Sequence, residues 1–229
     1  MSRFDAILFD AGGILVLPDP TVLRALLAYY GADASVSTHR RAHYAAMAAK
    51  SHAGSGETVW DEYDLAYVRA VGVPEHDVPA AATVLGRTRN AHVWRWPIPE
   101  SVAALRALAD LGVPLGVVSN ASGQIEEVLR RSDVCQVGDG TGVTVRVVVD
   151  SHVVGVAKPD PRIFDPALEH FADVDRTRIA YVGDSVTMDV GGARAAGLHP
   201  VLLDPHDDHP GADFDRIHSL ADLLALVAR

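Results

Sequence analysis

The chain has 229 residues, 48% hydrophobic and 22% charged, the make-up of a globular protein with ample material for one large core or a core carrying a smaller insertion. A formal charge of −10 and a pI near 5.4 exclude a broad phosphate-backbone-binding face, so no nucleic-acid partner is expected, while a small anionic substrate held by local cations stays open. Cys135 is the sole cysteine, no stretch nears the roughly 20 apolar residues of a membrane span, and no leader-like run opens the chain; no disulfide, no membrane partner and a cytoplasmic location are expected.

Ala6-Ile7-Leu8-Phe9 reads as a short buried strand that ends at Asp10, with Gly12-Gly13 turning the chain sharply after it. From Asp19 to about His92 the pattern becomes alanine-rich and helical. Four helices are predicted there: Pro20 to Tyr30, Thr38 to Lys50, Thr58 to Val71 and Val78 to Thr88. Gly31, Gly54-Ser55-Gly56 and Gly72 to Pro74 separate them. Strand–helix alternation follows. A helix runs from Pro99 to about Leu111, a strand from Pro114 to Val118, and a helix after Ser119-Asn120 through Leu129. A strand is read at Thr144 to Val149, a helix at Asp160 to Phe171 and a strand at Ile179 to Val182. Val190 to Ala196 is a helix closed by Gly197, Val201 to Leu203 a strand and Leu220 to Val227 a last helix. Such alternation implies an α/β fold of parallel βαβ units covered on both faces.

The chemistry-bearing residues stand at strand ends: Asp10, Ser119 and Asp184, with Lys158 just ahead of a helix. Ligands of an open parallel sheet bind outside the carboxyl ends of its strands, so these residues are expected to converge on one crevice. Asp10 could attack phosphorus or carbon and form a covalent intermediate. Ser119 and turn amides could hold anionic oxygens, Lys158 could neutralise charge on nucleophile and substrate, and Asp184 with Asp10 could bind Mg²⁺.

FDAGGIL, VVSNASG, KPDPRIF and GDSVTMDVGGARAAG, in that order, resemble the four motifs of the haloacid dehalogenase superfamily, in its subgroup with a helical cap inserted after the first motif. The resemblance implies a Rossmann-like doubly wound parallel core over 1–17 and 93–229, with a helical cap over 18–92. It makes Asp10 the nucleophile, places Ser119 and the amide of Asn120 on the phosphoryl oxygens, and has Lys158 bridge that group and Asp10. It assigns Mg²⁺ to Asp10, the backbone carbonyl of Gly12 and Asp184, with Asp189 supporting the metal through water or Lys158. The implied activity is Mg²⁺-dependent hydrolysis of a small phosphorylated metabolite, by a monomer or homodimer.

One position departs from the pattern. Family phosphatases carry a second aspartate where Gly12 stands, to protonate the leaving group and then activate water. Loss of a positioned acid–base costs a factor of roughly 10²–10⁴. Metal-free dehalogenation and a catalytically weak phosphometabolite- or partner-binding protein are the alternatives. Dehalogenases of the family lack that aspartate, but they also lack the Gly183-Asp184 pair. A cap residue could substitute for the acid, and His39, His43 and His52 are the histidines placed to try. His39 and His43 stand one helical turn apart, as two metal ligands could, yet no third ligand follows. Trp60, Tyr63 and Tyr67 are spaced as a packed helix face, Trp94 and Trp96 sit where the cap returns to the core, and His206 to His209 read as a solvated loop.

Overall fold

A computed structural model describes residues 2–227. The chain enters through β1 (Ala6–Phe9) and β2 (Val16–Pro18), then forms α1 (Pro20–Leu27), α2 (Val36–His52), α3 (Asp61–Ala70) and α4 (Val78–Thr88). It returns through β3 (Trp94–Pro97), α5 (Pro99–Asp110), β4 (Leu115–Ser119), α6 (Ile125–Arg131), β5 (Cys135–Val137), β6 (Val143–Val145), β7 (Val148–Asp150) and α7 (Ser151–Val154). α8 (Asp165–Glu169), β8 (Ile179–Gly183), α9 (Gly191–Ala195), β9 (His199–Leu203), β10 (Asp215–Ile217) and α10 (Leu223–Val227) complete it.

Six strands pair in the order β10-β9-β8-β1-β4-β7, all parallel. β1 is fully buried because successive side chains feed two different cores. Ile7 and Phe9 pack with Leu105, Leu108, Ile125, Leu129 and Leu223 on one face. Ala6 and Leu8 pack with Phe164, Leu168, Phe171 and Tyr181 on the other. From β1 the chain first adds strands on one side, then returns to add β8 to β10 on the opposite side. The strand order therefore reverses at β1, and a crevice opens at its carboxyl end. This is a Rossmann-like α/β fold.

The helices α1 to α4 enclose an apolar cluster of their own, with Leu23, Met47, Tyr63, Tyr67, Val68 and Leu85 inside it. Ser35 caps α2 by accepting from the Thr38 amide, so this helix starts before the predicted Thr38. α3 starts at Asp61 rather than Thr58, because the Lys50 ammonium binds the carbonyls of Gly56 and Val59 and holds that stretch as a loop.

Other boundaries differ for identifiable reasons. The predicted strand Thr144 to Val149 bends at Arg146 and becomes two, the first half pairing with β5 and the second with β4. The predicted helix Asp160 to Phe171 is a 3₁₀ turn, Pro161–Phe164, followed by α8; Pro166 has no N–H with which to continue the first turn. Before α9 a wide turn, Val186–Val190, is capped by the Ser185 hydroxyl on the Met188 amide. β2 and β3 form an antiparallel ribbon, and with β5 and β10 they are strands the sequence pattern did not reveal.

Candidate active site

All seven expected residues, Asp10, Gly12, Ser119, Asn120, Lys158, Asp184 and Asp189, line one cavity of about 270 Å³ at the carboxyl ends of β1, β4 and β8. The Asp10 amide donates to Val182 O, and its carboxylate Oδ1 accepts from the Ala11 amide at 2.7 Å. Its Oδ2 lies 3.0 Å from Lys158 Nζ, which also donates to Asp189 Oδ1 at 2.7 Å and to the Tyr181 hydroxyl at 2.8 Å. The Lys158 backbone is clamped by Asn120, whose Oδ1 accepts from Lys158 N and whose Nδ2 donates to Lys158 O.

Asp189 explains the long fourth motif. Its Oδ2 accepts from the amides of Asp184 and Ser185, which folds the turn back onto the end of β8. That approach is close enough that a Cβ on Gly183 would lie 2.2 Å from the Asp189 carboxyl carbon, so only glycine fits. Gly13 is fixed by the same logic. It has φ +71°, and a Cβ there would stand 1.9 Å from Asp184 Oδ2.

Three carboxylates, Asp10, Asp184 and Asp189, bring oxygens within 4.8 Å of one another, with the Lys158 ammonium in contact with two of them. Burial, reinforced by Asp189 and Asp184 and opposed by Lys158, pushes the Asp10 carboxyl up to about 7. Asp184 is raised too, by burial first, against the hydrogen bond from His43. Burial works against the Lys158 ammonium, yet Asp10 and Asp189 hold its pKa above that of a free lysine. Such a surplus of buried carboxylate suits a hard divalent cation with oxygen ligands. Each oxygen of Asp189 already meets two donors, Lys158 and Tyr181 on Oδ1 and the Asp184 and Ser185 amides on Oδ2, which leaves Asp10 and Asp184 as the less saturated carboxylates and the side chains fitted to hold one.

The helical side supplies the opposite wall: Met47, Lys50, Glu57, Trp60, Arg89 and Trp94. Lys50 lies 4.3 Å above the Trp60 ring and Arg89 4.6 Å from it, so Trp60 belongs to the cavity and not only to a packed helix face. Trp94 stands over Gly12, with ring carbons 3.2 and 3.3 Å from where a Cβ would be. The histidines separate. His39 binds the Tyr67 hydroxyl and Asp33 O, away from the crevice, so His39 and His43 do not converge on a metal. His43 reaches Asp184 Oδ2 at 3.0 Å and the Tyr63 hydroxyl at 3.0 Å. His52 packs near His209, which is buried, and Asp208 pairs with Arg41; the 206–209 segment is thus tied to α2 rather than merely solvated. The sequence reading missed Glu57 and Arg89 altogether. Lysine occurs only at 50 and 158, a scarcity that could have singled out Lys50 as well.

A family model for haloacid dehalogenase-like hydrolases matches residues 4–197. The haloacid dehalogenase-like hydrolase domain-containing protein 3 of Mus musculus is 30% identical over 177 residues, 73% of this chain and 65% of that protein. The glyceraldehyde 3-phosphate phosphatase of Methanopyrus kandleri is 31% identical over 180 residues, 73% of this chain and 72% of its own length. The matches span 40%, 65% and 46% of the relatives from Bos taurus, Mus musculus and Escherichia coli. In fold, the chain is similar to the HAD-hydrolase YfnB of Bacillus subtilis, with a TM-score of 0.61, 19% identity and coverage of 99% of this chain and 100% of that one. It is also similar to a HAD phosphatase from Thermococcus onnurineus, with a TM-score of 0.56, 21% identity and 98% of each chain covered. No helix among the described residues is long and apolar enough to cross a membrane. On the family match over most of its length, the chain belongs to the haloacid dehalogenase-like hydrolases.

Proposed function

We propose that this hydrolase is a Mg²⁺-dependent phosphatase that works on a small phosphorylated metabolite through an aspartyl-phosphate at Asp10. The observation that carries this reading is the Lys158 ammonium 3.0 Å from Asp10 Oδ2, inside a cluster of three buried carboxylates that needs further positive charge. Relatives named as a glyceraldehyde 3-phosphate phosphatase and a phosphoserine phosphatase support the phosphoryl chemistry.

In this reading Asp10 attacks phosphorus from the end of β1. Ser119 and the Asn120 amide hold two phosphoryl oxygens, and Lys158 neutralises the charge that nucleophile and phosphoryl group share. Mg²⁺ held by Asp10, the Gly12 carbonyl and Asp184 supplies further charge neutralisation and orientation when bound. Asp189 holds Lys158 and the turn at Asp184 in place. Residues 18–92 act as a cap that excludes water and selects the substrate. The lone free thiol of Cys135 supports a cytoplasmic setting.

The test is phosphate release from a panel of phosphomonoesters with and without Mg²⁺, using wild type and Asp10→Asn. Turnover that needs both the cation and Asp10 is expected. Halide release from 2-haloacids without metal, or binding of phosphate with no turnover on any ester, would overturn the reading.

A further inference from the structure

The position where a second core carboxylate would stand is left without one by Gly12, and the Trp94 ring crowds the space above it. The histidines of the helical wall do not take its place. His39 faces away from the crevice, His43 is spent on Asp184 and Tyr63, and His52 lies beside His209. One carboxylate of that wall does reach across. Glu57, in the loop between α2 and α3, accepts a hydrogen bond on Oε2 from Asn120 Nδ2 at 2.8 Å. The second Asn120 Nδ2 proton goes to Lys158 O, and Lys158 Nζ touches Asp10. Glu57 is therefore linked through two residues to the nucleophile and lines the same cavity.

Its loop is built rather than loose. Lys50, only 1% exposed, donates to Gly56 O and Val59 O, each at 2.5 Å, on either side of Glu57. The Trp60 ring closes over the ammonium. Lys50 thus acts as a positioning residue that fixes where the Glu57 carboxyl points.

We propose that Glu57 is the general acid–base of the reaction, carried by the helical unit in place of the carboxylate missing at 12. The inference rests on the phosphatase reading. Asp10 forms its bond to phosphorus as the ester P–O bond breaks, and the electron pair of that bond passes to the leaving oxygen. This oxygen takes the proton from Glu57 and departs as the alcohol. The Glu57 carboxylate then removes a proton from water, whose oxygen attacks phosphorus and displaces the Asp10 carboxylate. Phosphate leaves, and Glu57 is again protonated. Because the acid stands on the helical wall, proton transfer is available only while that wall covers Asp10, so closure and chemistry become one event.

Glu57→Gln separates this role from that of a latch, since glutamine can still accept from Asn120 but cannot pass a proton. The readout is kcat/KM with Mg²⁺ on p-nitrophenyl phosphate and on glycerol phosphate, with a rapid-mixing measurement of nitrophenol release. A fall of roughly 10²–10³-fold is expected on the alkyl ester and less than about tenfold on the aryl ester, whose leaving group needs little protonation. A burst of nitrophenol is expected as phosphorylated Asp10 accumulates. Equal losses on both esters, or no loss on either, would overturn the role of Glu57 while leaving the phosphatase reading intact. Wild-type protein that turns over neither these nor any ester of the panel would overturn the phosphatase reading and this inference with it.

Discussion

On the core side of the cavity, Asp10, Lys158 and Asp189 are buried charges that satisfy one another at 2.7–3.0 Å on the ends of parallel strands. On the helical side, Lys50 is held by two carbonyls and a ring face, Arg89 by Asp64 and the same ring, and Glu57 by a single side-chain amide. The core wall is one coupled electrostatic unit, in which removing the shared cation strands two carboxylates. The helical wall is more loosely joined: Lys50 holds the loop that carries Glu57, and it meets Arg89 only across the Trp60 ring. On the readings above, nucleophile and counter-cation belong to the first kind of wall, and the proposed acid Glu57 stands on the second together with the side chains that would choose the substrate.

The sharpest way to break that comparison is to remove one cation from each side. Lys158→Met leaves Asp10 and Asp189 buried without their counter-ion, and should cost about 3–5 kcal/mol of stability with a roughly 10²–10³-fold loss of kcat/KM. Lys50→Met strands two carbonyls of a loop and should cost about 1–3 kcal/mol. Urea denaturation of both variants decides; equal costs would mean that the helical wall is as coupled as the core.

Asp10→Asn tests the coupling with the opposite sign. Folded Asp10 keeps its proton up to about pH 7, whereas the unfolded carboxyl loses it near 3.8. Between those values the folded state binds more protons, so the metal-free protein loses stability as pH rises through this window. Asparagine cannot ionise. The variant should be more stable than wild type at pH 8 in the absence of metal, by up to about 4 kcal/mol, and most of the gain should be gone at pH 4. Thermal melts in chelator at the two pH values check this, and Mg²⁺ should stabilise wild type more than the variant at pH 8.

The two walls also differ in how far the sequence discloses them. β1 is a continuous apolar run because both of its faces are covered, and its end carries the nucleophile, so Asp10 could be found from four neighbours in sequence. Asp189 and Gly183 are likewise local, their roles set within one turn. Glu57 has no such signature, since its meaning comes from Asn120, 63 positions away. The β2–β3 ribbon was missed for a similar reason. Its strands are three and four residues long, and each finds its partner across the whole helical segment. Trp94 over Gly12 depends on that ribbon, so the sequence revealed the missing carboxylate but not what fills its place.

That filled space makes a smaller prediction. Gly12→Asp alone should give little, because the new side chain meets the Trp94 ring. In a Glu57→Gln background, Gly12→Asp combined with Trp94→Leu should restore about tenfold of the lost rate on glycerol phosphate, about 1.4 kcal/mol of transition-state stabilisation. Rescue by Gly12→Asp without the Trp94 change would show that the ring yields freely.

The smallest effect belongs to the seam between the walls. Arg41 on α2 forms a two-pronged pair with Asp208 in the loop after β9, at 2.6 and 2.8 Å, with the arginine side chain 43% exposed. An exposed pair of this kind contributes roughly 0.2–1 kcal/mol, so the double-mutant cycle of Arg41→Ala and Asp208→Ala should give a coupling below about 1 kcal/mol in unfolding. The pair nevertheless joins α2 to the loop after β9, and on the proposed role of Glu57 loosening this seam reduces the time the helical wall covers Asp10. The alkyl ester should therefore lose more rate than the aryl ester even at this distance from the reaction, by a factor of about 2–5, which is the same size as the coupling. Equal losses on the two esters would separate the seam from the proton transfer and confine its effect to stability.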